Sequence, residues 1–237
     1  MAAYSYVGSE LDLFAEARRW KSYLRRQIAP CYGPDVLEVG AGIGGSTRVL
    51  FDPSTRRWVC LEPDPALADA ITSAIGAGAL PSSCEVVVGA LDALPPGARF
   101  DTVLYIDVLE HIEDDRGELA RAARVLKPGG RLVVLSPAHQ SLFTPFDKAL
   151  GHCRRYSKST LRATAPSGLI LDRLSYLDSA GMLLSLGNRL ILRSATPTRR
   201  QIAFWDGVVV PVSRVIDPIL GYHVGKSVLA VWHKSAS

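Results

Sequence analysis

The sequence has 237 residues, of which 48% are hydrophobic and 21% are charged, as in a globular protein with a substantial core. Its net charge of +4 is mild and its arginines are spread over several segments, which argues against a nucleic-acid partner. No run reaches the roughly 18 apolar residues of a membrane helix, and residues 1–10 lack the basic start and apolar core of a signal peptide.

The predicted elements begin with an amphipathic helix over residues 11–29, ended by Pro30. After it, apolar runs alternate with helical patterns. Strands are predicted at 35–39, 57–62, 85–89, 100–106 and 131–136, and helices near 44–51, 65–77 and 114–126. This alternation requires a mostly parallel, doubly wound α/β sheet, in which ligands bind outside the carboxyl ends of the strands. Strand-like runs return at 169–176 and 227–233.

The first strand runs into a glycine loop in which Gly40, Gly42 and Gly44 leave no side chains between the backbone and a ligand. With Gly45 the loop also satisfies G-x-G-x-x-G, and an acid follows at a spacing typical of a dinucleotide site. Glu38 favours a different ligand. A carboxylate at that position would repel a pyrophosphate and would pair with the ammonium group of an amino acid.

Two further segments separate these alternatives. Residues 100–112 (FDTVLYIDVLEHI) predict a strand that ends in a polar loop, and residues 125–134 (VLKPGGRLVV) predict a helix end, a turn and a buried strand. Together with the glycine loop, they resemble the class I S-adenosylmethionine-dependent methyltransferases over about residues 30–176. The resemblance implies a Rossmann-like, seven-stranded sheet whose last strand is antiparallel and lies between the fifth and the sixth.

The resemblance also implies a binding site for the cofactor S-adenosyl-L-methionine. Glu62 is expected at the exposed end of the second strand, where an ionised carboxylate accepts hydrogen bonds from both ribose hydroxyls. Many relatives have Gly-Asp after the third strand, whereas this chain has Gly89-Ala90, so either Asp92 or the backbone of the loop recognises adenine. The implied cofactor-binding residues are Glu38, Gly40, Gly42, Gly44, Glu62, Pro63, Ala90, Leu91, Asp92 and Asp107.

The acceptor is expected to meet the titratable residues after the fourth and fifth strands. His111 has the ordinary pKa of a general base, although it is equally compatible with packing under the cofactor. Residues 147–157 (DKALGHCRRYS) are similar to a D-x-x-x-G-H-x-R-R-Y-S segment of one methyltransferase subgroup, often found with glycan, glycolipid or natural-product pathways. The candidate catalytic residues are His111, His152 and Tyr156, and the candidate acceptor-binding residues are His139, Asp147, Arg154 and Arg155.

A structural alternative exists for the same segment, in which Asp147 pairs with one arginine and Tyr156 packs beneath a lid.

Four cysteines without C-x-x-C spacing argue against a disulfide framework or a zinc site, so we expect a cytoplasmic protein without a bound metal. We expect a single domain over residues 1–237. It comprises a cap helix (1–30), a cofactor-binding core (31–136), an acceptor lid (137–226) and a last strand (227–237).

The sequence therefore predicts a methyltransferase that acts on a small molecule. The mixture of aromatic and basic residues between 143 and 205 suits a partly apolar, acidic acceptor or contact with a membrane surface. Two alternatives remain open: a NAD-dependent oxidoreductase, and a domain that binds S-adenosylmethionine without methyl transfer.

Overall fold

The structure, a computed structural model, describes residues 11–187 and 198–236. Seven strands form one sheet: β1 (Asp35–Val39), β2 (Arg57–Glu62), β3 (Cys84–Val88), β4 (Phe100–Ile106), β5 (Leu126–Pro137), β6 (Leu169–Leu177) and β7 (Ser227–Lys234). Their spatial order is β3-β2-β1-β4-β5-β7-β6. The first five strands are parallel, and β7 is antiparallel to both of its neighbours. The doubly wound sheet and the insertion of its last strand are thus confirmed.

Both faces of the sheet are buried, which explains why its strands read as nearly continuous apolar runs. Successive residues of β1 illustrate this: Val36 packs in the core on one face and Leu37 packs in the core on the other. In β5, Val133 packs in the core on the same face as Val36, and Leu132 packs in the core on the opposite face. Because the sheet is closed to solvent on both faces, its carboxyl edge is left as the place for a ligand.

Ten α-helices cover the described sheet: α1 (Leu11–Ala15), α2 (Arg18–Ile28), α3 (Thr47–Leu50), α4 (Pro65–Gly76), α5 (Asp115–Arg124), α6 (Pro145–Ala149), α7 (Lys158–Arg162), α8 (Ser179–Gly187), α9 (Arg199–Phe204) and α10 (Val210–Ile219). A π-helical turn over Trp205–Val209 joins α9 to α10. Within the described ranges, no helix is both long enough and apolar enough to cross a bilayer.

The prediction of one N-terminal helix was wrong, because the chain breaks between α1 and α2. Ala17 leaves the helical region with φ −75° and ψ 68°, and its amide donates to the carbonyl of Phe14 at 3.1 Å. The predicted helix at 44–51 shortens to α3, since Gly44 adopts a left-handed φ of 74°. The predicted loop from Ala138 to Tyr156 contains α6, which Thr144 caps.

Two buried carboxylates join the C-terminal helices to the rest of the fold. Asp217, on α10, accepts a hydrogen bond from the hydroxyl of Tyr23 on α2 at 2.7 Å. Asp178, which follows β6, accepts from the indole of Trp205 at 2.7 Å. These contacts connect α2, α8, α10 and the π-helical turn into a cap. Residues of α1, α2, α8, α9 and the π-helical turn line a cavity together with residues at the carboxyl ends of β1, β4 and β5.

Candidate functional site

The glycine loop follows β1 in a backbone conformation that favours glycine. Gly40, Gly42 and Gly44 have φ values of 68°, 59° and 74°. A Cβ on Gly40 would lie 2.6 Å from Cγ2 of Val108, and one on Gly44 would lie 2.7 Å from Cδ1 of Leu80. A Cβ on Gly42 would meet nothing closer than 3.6 Å. Two of the three glycines are therefore required by packing within the protein, whereas Gly42 keeps space beside the cavity.

Glu62 ends β2 opposite this loop, as the sequence predicts, but it is buried rather than exposed. Its side chain is 4% exposed. Oε2 accepts from the amide of Gly42 at 2.7 Å, and Oε1 accepts from the amide of Asp64 at 3.0 Å. Burial raises the pKa of the Glu62 carboxyl, partly offset by these two bonds. Each oxygen retains a second lone pair for a ligand hydroxyl.

The remaining residues predicted near the nucleoside lie on loops after β2 and β3. The amide of Gly89 donates to the carbonyl of Glu62 at 2.9 Å, so the two loops are adjacent. Neither loop lines the large cavity. The four residues that we predicted there are Pro63, which is half-buried, Ala90 and Asp92, which are exposed, and Leu91, which is buried.

Glu38 lies between the glycine loop and the core. Its Oε2 accepts from the hydroxyl of Thr47 at 2.8 Å and from the indole of Trp58 at 2.9 Å. Burial raises the pKa of Glu38 to about 7, and the two hydrogen bonds and the charge of Lys21 oppose that rise. The carboxyl also borders the cavity.

The pKa of Glu38 predicts a dependence of stability on pH. Because the folded-state pKa lies above the ordinary value of 4.5, the folded protein retains a proton between pH 4.5 and 7 that the unfolded chain releases. The free energy of unfolding should therefore fall as pH rises through this window. We expect Glu38→Gln to be more stable than the wild type at pH 8 by about 2 kcal/mol, with the gap nearly closed at pH 4.5.

Urea unfolding of both proteins at pH 4.5, 6 and 8 measures this gap. Glu85→Gln is a suitable control, because Glu85 is exposed on β3 and should show no such trend. A constant gap between Glu38→Gln and the wild type at all three pH values would contradict the assignment.

The cavity has a volume of about 1260 Å³ and opens beside the glycine loop. Its lining combines the carboxyl ends of β1, β4 and β5 with α1, α2, α6, α8, α9 and the π-helical turn. Apolar side chains such as Phe143, Phe146 and Leu183 alternate with the cations Lys21, Arg200 and Lys226 along its walls. The space is large enough for a cofactor and a second molecule.

Four titratable residues meet at the inner end of the cavity. Asp107 adopts a left-handed φ of 55°. Its side chain is exposed at the wall of the cavity, and partial desolvation there raises its pKa to about 6. Burial also raises the pKa of Glu110 well above its ordinary range and lowers that of His111 to about 4. The rings of His111 and His152 are perpendicular, with centroids 4.6 Å apart.

Asp147 forms the ion pair that the structural alternative predicts. It is buried, and Arg155 donates to it through Nε at 2.7 Å and Nη2 at 2.9 Å. The same carboxylate contacts Nδ1 of His152 at 3.0 Å and accepts from the amide and the hydroxyl of Thr144, both at 2.8 Å. These partners outweigh the effect of burial and hold the pKa of Asp147 well below its ordinary value. We call the four residues Thr144, Asp147, His152 and Arg155 the clasp.

Three residues predicted at the reacting end, the candidate catalytic residue Tyr156 and the candidate acceptor-binding residues Arg154 and His139, do not line the cavity. The hydroxyl of Tyr156 is buried and donates to Asp115 at 2.8 Å. Arg154 donates to the same carboxylate at 2.7 Å. His139 contacts the carbonyl of Gly225 through Nε2 at 3.0 Å. These contacts fit a structural role for Tyr156, Arg154 and His139, and contact of the three side chains with an acceptor stays a prediction.

Sequence reasoning missed two cavity lysines. Lys21 on α2 donates to the carbonyls of Phe14 and Ala15 at 2.8 and 3.2 Å, and burial lowers its pKa to about 8. Lys226 precedes β7, and its Nζ lies 3.9 Å from the centroid of the Trp205 ring. Neither lysine belongs to a motif, so the sequence carries no signal for its position.

Comparison with known proteins agrees with this geometry. The family model described as a methyltransferase domain matches residues 37–134, which span β1 to β5. N-methyltransferase NodS from Bradyrhizobium japonicum WM9, solved in complex with S-adenosyl-L-homocysteine, superimposes with a TM-score of 0.59 at 15% sequence identity. That superposition covers 95% of this chain and 90% of NodS. The chain therefore has the class I methyltransferase fold.

Two curated relatives are similar to part of the sequence. Demethylmenaquinone methyltransferase of Tropheryma whipplei (strain Twist) is 32% identical over 155 residues, which cover 61% of this chain and 59% of the relative. A ubiquinone biosynthesis O-methyltransferase of Bradyrhizobium sp. (strain ORS 278) is 33% identical over 103 residues, which cover 43% and 39%. The chain thus spans less than two thirds of the length of either relative.

Proposed function

We propose that this protein is an S-adenosylmethionine-dependent methyltransferase that acts on a small, partly apolar molecule. The observation that carries the proposal is the position of Glu62, whose carboxylate faces the amide of Gly42 across the carboxyl edge of the sheet. The cavity adjoins this loop. The family match over residues 37–134 and the likeness to NodS support the same cofactor.

The residues present fit this cofactor. Gly42 keeps space for a ligand beside the loop, and Glu62 retains acceptor capacity for ribose hydroxyls. Glu38 and Asp107 place carboxyl groups at the cavity wall where an amino-acid end with its ammonium would lie. When bound, S-adenosylmethionine supplies an electrophilic methyl group. The protein's contribution is to align the acceptor with that group and to exclude water.

The walls of the cavity support the class of acceptor. Phe143, Phe146 and Leu183 offer apolar contact, and Lys226 and Arg200 offer positive charge to an acidic group. Exposed apolar side chains continue over the outside of the cap at α9 and α10, which supports an acceptor drawn from a membrane surface. The names of the two curated relatives refer to quinones, which are molecules of this kind.

We further propose that residues 1–30 and 137–226, in the parts that the structure describes, act as the cover of a single domain whose cofactor-binding part is residues 31–136. Leu11, Phe14 and Phe143 line the cavity from these two lengths of chain. Arg189 and Arg193, which we included in the basic side of this cover, lie outside the described residues. His111, His152, Asp147 and Arg155 remain candidates for contact at the reacting end, since all four line the cavity.

Calorimetric titration distinguishes this proposal from a NAD-dependent oxidoreductase. We expect micromolar affinity for S-adenosylhomocysteine and none for NAD. The reverse result would refute the proposal. A second experiment distinguishes a methyltransferase from a domain that binds the cofactor without methyl transfer. The protein is incubated with methyl-labelled cofactor and a panel of quinol, phenol and carboxylate acceptors. Binding without label transfer to any of them would support that alternative.

A further inference from the structure

Three potential metal ligands meet at the inner end of the cavity. Glu110 and His111 come from the turn after β4, and His152 comes from the segment after α6. One ligand atom from each side chain lies within 4.8 Å of the other two. All three residues line the cavity. The chain thus brings two imidazoles and a carboxyl group, distant in sequence, to one point.

Glu110 is the most informative of the three. Its side chain is 0% exposed, and neither carboxyl oxygen forms a hydrogen bond of ordinary geometry among the described residues; the hydroxyl of Ser136, which also lacks one, is the polar side chain beside it. Buried carboxyl groups are normally paired or hydrogen-bonded, because desolvation without a partner is costly. A ligand bound at the cavity wall would give this buried carboxyl group the partner that ordinary hydrogen bonds do not supply.

The two imidazoles are oriented in the way that metal-binding histidines are. Nδ1 of His152 lies 3.0 Å from Oδ1 of Asp147. His111 hydrogen-bonds to the backbone of Leu150. A hydrogen bond to one ring nitrogen fixes the orientation of an imidazole, and the opposite ring nitrogen is then the one that binds an ion. The clasp therefore also holds His152 in place, since Arg155 and Thr144 fix the carboxylate that His152 contacts.

We propose that Glu110, His111 and His152 bind one divalent transition-metal ion of the Zn²⁺ type, with its open coordination positions facing the cavity. Two imidazoles and one carboxylate are a donor set that such ions use in catalytic sites. Ligand atoms about 2.1 Å from a tetrahedral ion lie about 3.4 Å apart, so a pair of ligand atoms separated by up to 4.8 Å would approach by up to about 1.4 Å on binding. The proposal departs from the expectation, based on the cysteines alone, of a protein without a metal.

The surrounding charges are compatible with a cation. Asp107 adds a carboxyl group at the same end of the cavity. The nearby cations already have acidic partners: Arg155 pairs with Asp147, and Lys226 lies 3.6 Å from Asp178. Lys21, on α2, interacts electrostatically with Asp107 and Glu38, and its Nζ donates to backbone carbonyls.

If the proposed methyltransferase function holds, the ion has a role in it. An acceptor hydroxyl bound at an open position becomes more acidic. Its proton leaves to solvent, an O–CH₃ bond forms and the sulfonium S–CH₃ bond breaks, so no oxidant or reductant is needed. The ion would then perform the activation that we assigned to His111 as a general base.

Metal binding is tested without reference to activity. The full chain is freed of metal by dialysis against a chelator and titrated with Zn²⁺ by calorimetry and with Co²⁺ by its visible absorption. We expect about one ion per chain with a Kd of about 1 µM or tighter. Glu110→Gln and His152→Ala should each weaken binding by about a hundredfold or more, because each removes a direct ligand.

His233→Ala is the matched control. His233 also contacts a carboxylate, Asp172, through Nδ1 at 2.6 Å, but it lies on β7 outside the cluster. Its loss should leave Zn²⁺ affinity unchanged, and circular dichroism confirms that each variant is folded. A wild type that takes up no Zn²⁺, or Glu110→Gln with wild-type affinity, would overturn the proposal. Titration with S-adenosylhomocysteine on the same samples tests the proposed function separately, so either can fail alone.

Discussion

Glu62→Ala should weaken the binding of S-adenosylhomocysteine at least about tenfold. Hydrogen bonds to a charged group contribute about 1.5–3 kcal/mol each, and about 1.4 kcal/mol corresponds to a tenfold change in Kd. The structure adds a second cause. Glu62 accepts from the amides of Gly42 and Asp64, so alanine also removes one of the contacts that hold the glycine loop against β2.

Calorimetry on the wild type, Glu62→Ala and Glu62→Gln separates the two causes. Glutamine keeps the size of the side chain and one acceptor oxygen, so it should retain more of the loop and lose mainly the charge. Asp69→Ala removes an exposed acid from α4 and serves as the control for net charge. A Kd for Glu62→Ala equal to that of the wild type would exclude a role in ribose binding.

Asp147→Ala should lower the free energy of unfolding by about 3 kcal/mol or more. The substitution leaves the guanidinium of Arg155 without its carboxylate in a place that is largely closed to solvent. Removing one partner of a buried ion pair typically costs about 3–5 kcal/mol, since the remaining charge is uncompensated. Thr144 and His152 lose a partner by the same change.

Glu85→Ala is the matched comparison, because it breaks the ion pair between Arg57 and Glu85 at the surface. Exposed pairs contribute about 0–1 kcal/mol, so this variant should remain close to the wild type in urea unfolding. Equal losses for Asp147→Ala and Glu85→Ala would show that the clasp does not stabilise the fold.

The strands could be predicted from the sequence because both faces of a mostly parallel sheet are buried. β1, β2 and β4 have the predicted bounds. β5 was predicted only over 131–136, whereas it begins at Leu126 and runs through the Pro-Gly-Gly turn. The pairing register shifts between Phe100 and Thr102, which accommodates that turn within the strand. Such an irregularity depends on the neighbouring strand, and a single segment does not reveal it.

The site was predicted less completely. The spacing of residues in the sequence indicates which of them lie close together, but it does not indicate where each side chain points. The segment 147–157 does reach the cavity through Asp147 and His152. Its Tyr156 instead meets Asp115, which belongs to α5 and has no local relation to the segment. The start of α6 did have a local signal, since Thr144 and Asp147 form a capping box around Pro145, and that pattern was overlooked.

The order of the strands has a consequence for how the chain folds during synthesis. β6 pairs with β7 alone, and β7 is the last of the described strands to leave the ribosome. Until then, β5 and β6 both present unpaired edges, and the helices α8, α9 and α10, which lie between β6 and β7 in the sequence, have only part of the sheet to pack against. Such edges invite association with other chains. The pairing of β7 with β5 and β6 is therefore the step that completes the sheet and covers the unpaired edges of these two strands.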